Sequence, residues 1–267
     1  MLQLTSLYRY PLKSCAAEPL RRAVIDELGV HGDRRWMVVD SANGRFLTQR
    51  LLPQLGRICA SWQGANLQLE APGMPALQIM LPDAQSPLLG VTVWSDSLQV
   101  PDAGETAARW ISDYLQRDCR LVQVPAARAR QVDTAYARPG EKVGFADGFP
   151  LLLIGQASLD DLSARVGRPL EMLRFRPNLV VAGAAAYAED NWKRIRIGTL
   201  ELRVVKGCSR CIMTTLDPHS GERSVDREPL QTLKTYRERD GEVYFGQNLI
   251  AEGEGVLDCG LPVEVLE

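Results

Sequence analysis

Histidine is almost absent from this sequence: two residues of 267, His31 and His219. A structural zinc site usually draws four ligands from two paired motifs. Only one such pair exists here, Cys208-Ser209-Arg210-Cys211, so structural zinc is disfavoured. Imidazole acid–base chemistry can rest only on His31 or His219, and neither has an evident nucleophile or carboxylate partner in sequence. His219, within Asp217-Pro218-His219-Ser220-Gly221, reads as a turn residue. A glycine-rich dinucleotide fingerprint, a Walker-type phosphate loop, a His-Glu-x-x-His helix and a Gly-x-Ser-x-Gly elbow are all missing.

Long apolar runs are missing too. The longest, Phe149 to Ile154, has core-strand length, far short of the ~18 residues of a membrane span, so no membrane association is expected. The start, Met1 to Ser6, lacks a basic region followed by an apolar one, so no signal peptide is expected. Six scattered cysteines do not resemble a secreted disulfide scaffold, which points to free thiols in a reducing, cytoplasmic setting. A net charge of −2 gives no reason to expect a nucleic-acid partner. With 45% hydrophobic and 24% charged residues the chain has soluble globular composition, with material for one large domain or two modest ones.

What is present is a succession of short β-type runs. They fall at Leu2–Tyr10, Arg21–Leu28, Arg35–Asp40 and Arg45–Thr48, with Gly29 and Gly32 as turn residues and Asn43-Gly44 as a hairpin signal. Further runs follow at Ile58–Trp62, Leu67–Glu70, Leu77–Leu81, Gly90–Trp94 and Ser97–Pro101, a spacing that suggests a barrel or sandwich. Beyond Gly104, Ala107, Trp110, Ile111, Tyr114 and Leu115 fall at helical spacing. Pro125 to Gly140 reads as a long polar loop. A buried strand over Phe149–Ile154 then precedes a helix, with a capping-box-like start at Ser158 and Asp161 and a stop at Gly167. Strands resume at Leu179–Ala182, Ile195–Ile197 and Leu200–Val205, a helix is expected over Pro229–Arg239, and two or three strands close the chain. The fold class is α+β, β-dominated, with two barrel-like parts.

The Cys208–Cys211 motif lies between Leu200–Val205 and the β-favouring Ile212–Leu216, which reads as two thiols on a tight strand-to-strand connection. Thiolates ligate soft metals, carry sulfur or exchange disulfides. A thioredoxin-type pair needs its first thiol at a helix N-terminus, and the strand-like flank argues against one. Both cysteines could instead fill space as small hydrophobes. That suits Cys208 better than Cys211, which follows Ser209-Arg210.

Guanidinium forks suit phosphate, and Arg34-Arg35 and Arg174-Phe175-Arg176 are candidate clusters. Pro177 is expected to hold Arg176 extended. Arg21, Arg22, Arg128 and Arg130 read as solvated surface charge. Lys13-Ser14, on the turn after the first strand, could bind an anion, a weak signal alone.

Seven strings taken together are more specific: YPLKSC (10–15), HGDRRWMVVD (31–40), FADGFPLLLIGQASL (145–159), FRPN (175–178), CSRCIMTTLDPHSGE (208–222), EPLQTLKTYR (228–237) and FGQN (245–248). In this order they resemble MOSC-domain proteins, above all those of the amidoxime-reducing-component type and their bacterial relatives. The resemblance implies a MOSC N-terminal β-barrel domain over residues 1–115 and a MOSC domain over 116–267. It implies a molybdenum cofactor (Mo-molybdopterin) with Cys211 as metal ligand. Contacts to the cofactor's phosphate and pterin would come from Lys13, Ser14, Arg34, Asp147, Arg176, Asn178 and Ser209, leaving Cys208 as structural partner. Pyridoxal phosphate binding is a looser family-level association.

The implied activity is reduction of a small N-hydroxylated substrate, base analogues included, by N–O cleavage. With no cysteine cluster to spare for an iron–sulfur centre, electrons would come from a separate ferredoxin- or flavin-reductase-like protein. The alternatives are a sulfur carrier with a persulfide on Cys211, or a non-enzymatic cofactor-binding protein. Gly148-Phe149 departs from the small polar residues common among relatives after the aspartate, so the resemblance does not carry side-chain contacts over to those two positions.

Overall fold

A continuous apolar stretch buried on both faces makes a central strand, and Leu151 to Gly155 is buried at every position. The computed structural model describes residues 1–63 and 65–267. Eight strands, β1 (Gln3–Arg9), β2 (Glu18–Leu20), β3 (Leu151–Gly155), β4 (Leu179–Ala182), β5 (Arg194–Ile197), β6 (Leu200–Arg210), β7 (Glu242–Ala251) and β8 (Val263–Val265), pair in the order β2-β1-β4-β3-β7-β6-β5-β8. Glu238–Arg239 adds a short ninth strand on β7. Only β3 and β4 are parallel; α2 (Gln156–Val166) lies between them in the chain, as a parallel crossover requires. Beneath this sheet Leu4, Leu7, Leu153, Leu179, Ile195, Leu202 and Leu249 form one core.

The intervening residues build smaller sheets. Trp36–Asp40 pairs with Cys119–Gln123, Leu88–Val93 with Asp96–Pro101, and Cys59–Gln63, Asn66–Glu70 and Leu77–Met80 form a meander. A helix, α1 (Glu105–Leu115), turns Ala107, Trp110, Ile111 and Leu115 onto a core with Trp36, Val38 and Leu121. The class is thus α+β and β-dominated as expected, but the sheets stay open and do not close into barrels. At Asn43-Gly44 the chain turns back, yet the return makes only isolated bridges, at Phe46 to Val39 and Arg45 to Thr92. Within Pro125–Gly140 a short 3-10 turn precedes Arg130–Gln131, which pairs with Lys142–Val143.

Two local expectations are corrected. Ser158 does not cap α2. The helix begins at Gln156, and the buried carboxylate of Glu189 accepts from Ser158 Oγ (2.7 Å) and from the Gly155 amide (3.0 Å). A partner brought in by tertiary folding therefore replaces the local cap. Arg176 is left-handed, not extended (φ 55°, ψ 46°): it ends the 3-10 turn Met172–Phe175, its amide bonds Leu173 O, and its guanidinium reaches Cys15 O at 2.7 Å. Those two bonds outweigh the preference imposed by Pro177.

Gly246 interrupts β7 with φ 78°, and a Cβ there would lie 2.8 Å from Leu153 O and 2.7 Å from Ile154 Cγ1. Gly246→Ala is therefore expected to lose about 3 kcal/mol of stability through a left-handed alanine and a clash in the sheet centre, measured by urea unfolding.

Candidate functional site

Strands end where a chain must turn, and three turns meet beside the C-terminal ends of β1 and β6. Ser14 (φ 68°), Arg34 (φ 44°) and Arg176 (φ 55°) all hold left-handed backbone. Such conformations persist in non-glycine residues where the surroundings over-determine them, and they cluster at ligand sites. All three line one cavity of about 420 Å³, together with Lys13, Asp147, Asn178, Ser209 and Cys211. The eight residues implied by the resemblance are thus brought together from separate segments of the chain.

Arg34 and Arg176 both lie 4.2 Å from the Tyr10 ring centroid, a cation–π arrangement. Burial opposes the charge on Arg34, but neighbouring Asp33 and Tyr10 outweigh it and its pKa sits above the ordinary value. Its guanidinium donates to Asp33 (2.7 Å), to Asn178 Oδ1 (3.1 Å) and to Arg176 O (3.0 Å). Burial and then repulsion from Arg34 push Arg176 down. Asn178 is buried, and its amide also accepts from Leu152 N (3.2 Å) and donates to Tyr8 O (3.2 Å), so it ties β1 to β3 as well as lining the cavity.

Lys13 donates to Phe145 O (2.7 Å) and Asp147 Oδ1 (2.5 Å). Burial lowers the Lys13 pKa against the pull of Asp147. Asp147 has an exposed side chain, and against the desolvation around the pair the Lys13 ammonium holds its carboxyl down at about 2. Lys13, Arg34, Arg50, Arg174, Arg176, Lys206 and Arg210 line the cavity, with Asp147 the one carboxylate among the described lining residues. The lining is therefore strongly cationic.

The two cysteines differ. β6 runs through Cys208 to Arg210, and a register shift against β7 falls between Gly207 and Ser209. Cys208, half-buried, packs against the cluster that includes Phe175 and Phe245 and also lines the cavity; burial raises its thiol while Arg210 pulls the other way. Cys211 is exposed and leads into a 3-10 turn, Ile212–Thr215. The expected strand after Cys211 is therefore corrected to a helical turn, in which Thr214 and Thr215 hydroxyls donate to the carbonyls of Cys211 and Ile212. Arg210 turns inward, to Phe245 O (2.8 Å) and Phe175 O (2.9 Å).

Several sequence readings of charge also change. Arg130 is buried, not solvated, and donates to Gly144 O (3.1 Å) and Ala146 O. Arg174 turns to Leu216 O (2.9 Å) and Asp217 (3.2 Å). His31 and His219 remain at the surface, paired with Asp26 (3.0 Å) and Glu171 (2.8 Å) outside the cavity. Thr48, Arg50, Trp94, Lys206 and Asn248 also line the cavity without having been marked in the sequence. Only Asn248 belongs to one of the seven strings, FGQN; Trp94 carried only a strand-end signal.

Residues 1–118 match the family model described as the MOSC N-terminal beta barrel domain, and residues 140–264 match that of the MOSC domain. The chain belongs to the MOSC-domain family. Among its relatives is mitochondrial amidoxime-reducing component 1 of Mus musculus, 36% identical over 98% of this chain and 82% of that protein. The human component 1 is 35% identical, with the same shares of each chain covered. A molybdenum cofactor sulfurase of Oryza sativa subsp. japonica is 32% identical over 99% of this chain but only 35% of its own length. Among the described residues no helix is long and apolar enough to cross a membrane.

The Lys13–Asp147 pair has a pH signature. The Asp147 carboxyl drops from about 3.9 unfolded to about 2 folded. A depressed carboxyl stabilises the fold above its unfolded pKa and loses that contribution as pH falls through the folded value. Between pH 4 and 2 the stability of the wild type should therefore fall more steeply than that of Asp147→Asn, read by denaturant titrations across that window.

Proposed function

We propose that this chain is a molybdenum-cofactor-dependent oxidoreductase that reduces small N-hydroxylated compounds. The observation that carries the reading is the convergence of an exposed thiol, Cys211, with seven basic side chains on one cavity. In this reading the chain divides as an N-terminal unit, 1–115, and a MOSC unit, 116–267, each contributing residues to that cavity.

The residues fit such a group. Arg176 and Arg210 each leave a buried Nη2 without a hydrogen-bond partner, as donors awaiting an acceptor would. Among the described residues no cluster of three or more His, Cys, Asp or Glu side chains could hold a metal. A metal at Cys211 would therefore bring its other ligands with it, as a pterin-bound metal does. Lys13, Ser14, Arg34, Asp147, Arg176, Asn178 and Ser209 would hold the cofactor, the cations facing its phosphate and Asp147 restraining Lys13. When bound, molybdenum supplies two-electron chemistry with oxygen transfer.

The reaction breaks the N–O bond, consumes two electrons and two protons, and releases water. The electrons would come from a separate protein, since the described cysteines form no cluster for a second redox centre. The work of this chain is placement and tuning of the cofactor. Cys208, half-buried within β6, would keep the geometry of that strand rather than ligate.

The similarity to a cofactor sulfurase, with Cys211 exposed, favours one second reading: a persulfide on Cys211. Protein from a cofactor-competent host should carry near-stoichiometric molybdenum and pterin, lost in Cys211→Ser and kept in Cys208→Ser. Equal loss in both variants, or loss in neither, overturns the ligand assignment. A mass increase of about 32 Da on Cys211, without pterin, would replace the reductase reading with the sulfur-carrier one.

A further inference from the structure

A two-residue hairpin loop that needs a left-handed backbone takes glycine, asparagine or aspartate. The loop between Leu88–Val93 and Asp96–Pro101 instead begins with Trp94, at φ 55°. A bulky residue there is a genuine outlier and costs on the order of 1–3 kcal/mol. Nor is the ring hidden in a core, for Trp94 is 40% exposed. It lines the cavity that holds Cys211.

Its surroundings hold it there. Phe46 packs against it with ring centroids 5.1 Å apart, and the Phe46 amide donates to Thr92 O on the same hairpin (3.1 Å). On the other strand Asp96 pairs with the buried Arg130 (3.0 Å), whose remaining nitrogens hold the carbonyls of Gly144 and Ala146. The hairpin tip is thereby latched to the segment that carries Asp147. The guanidinium of Arg50, itself a lining residue, lies 4.8 Å from the Trp94 ring centroid, and Lys13 Nζ lies 6.0 Å from it.

From this geometry we infer that Trp94, with Arg50 beside it, is an aryl subsite: a flat face on which a conjugated N-hydroxylated substrate stacks. The inference rests on the reductase reading above and adds to it the substrate preference, conjugated over aliphatic. A ring held at backbone cost, partly exposed, and backed by an aromatic and a guanidinium offers a planar partner both stacking and cation–π contact.

The test uses benzamidoxime and acetamidoxime as probes on cofactor-loaded protein. Without an electron donor, benzamidoxime should quench tryptophan fluorescence saturably, acetamidoxime should not, and Trp94→Phe should lose the quench. With a donor, Trp94→Leu should raise KM for benzamidoxime up to about tenfold, the worth of one aromatic contact, with kcat and the acetamidoxime KM nearly unchanged. Trp94→Phe should restore the benzamidoxime KM. Trp94→Gly, free of backbone strain, should match or exceed the wild-type Tm while showing the same KM defect.

The inference is overturned if benzamidoxime fails to quench, or if both KM values move together or not at all. Loss of molybdenum and pterin from Trp94→Leu also overturns it, by assigning the ring to the cofactor. A lowered Tm in Trp94→Gly with unchanged KM does so by assigning the ring to packing. Saturable quenching in a wild type that reduces neither probe leaves the subsite standing and removes the reductase reading.

Discussion

Two like charges share one aromatic ring at the heart of this molecule. Arg34 and Arg176 both lie against Tyr10, a buried phenol whose hydroxyl has no partner and whose pKa burial raises. Left alone, two desolvated guanidiniums would repel; burial first, and then Arg34, push the pKa of Arg176 down. They stay because four acceptors hold them: the Asp33 carboxylate, the Asn178 amide and the carbonyls of Arg176 and Cys15. The same groups fasten the end of β1 to the chain entering β4, so the positive field of the cavity and the join in the sheet are one construction.

Much of this was legible from residue order. The apolar run at Leu151–Ile154, the left-handed stop at Gly167 and the helical spacing of Ala107, Trp110 and Ile111 are local signals, and the structure follows them. Where tertiary partners decide, local signals mislead. Ser158 looked like a cap until Glu189 arrived from 31 residues away. Ile212–Leu216 has β-favouring side chains, yet Thr214 and Thr215 turn their hydroxyls back onto the backbone and tighten it into a 3-10 turn. Arg130 looked like surface charge because nothing nearby in sequence announces the carbonyls of Gly144 and Ala146 as its partners. Arg50, Trp94 and Lys206 are invisible as site residues for the same reason: each reaches the cavity only through pairings between distant segments.

The cysteine pair shows how small a difference in backbone separates two roles. Three residues apart, one thiol lies half-buried in a strand against an apolar cluster and the other stands exposed where that strand ends. Arg210 enforces the difference by turning inward to the carbonyls of Phe175 and Phe245, which pins the strand just before Cys211.

The cavity also has a consequence for how the molecule is held together. Its walls come from residues as far apart as Lys13 and Asn248. An anion that fills it draws on both ends of the chain at once, so its binding free energy adds to global stability by mass action rather than to that of one segment. The left-handed turns at Ser14, Arg34 and Arg176 all border the chamber, so an occupant would restrain the three together. Occupancy should then be readable far from any chemistry, as resistance to proteolysis in the loops that meet there.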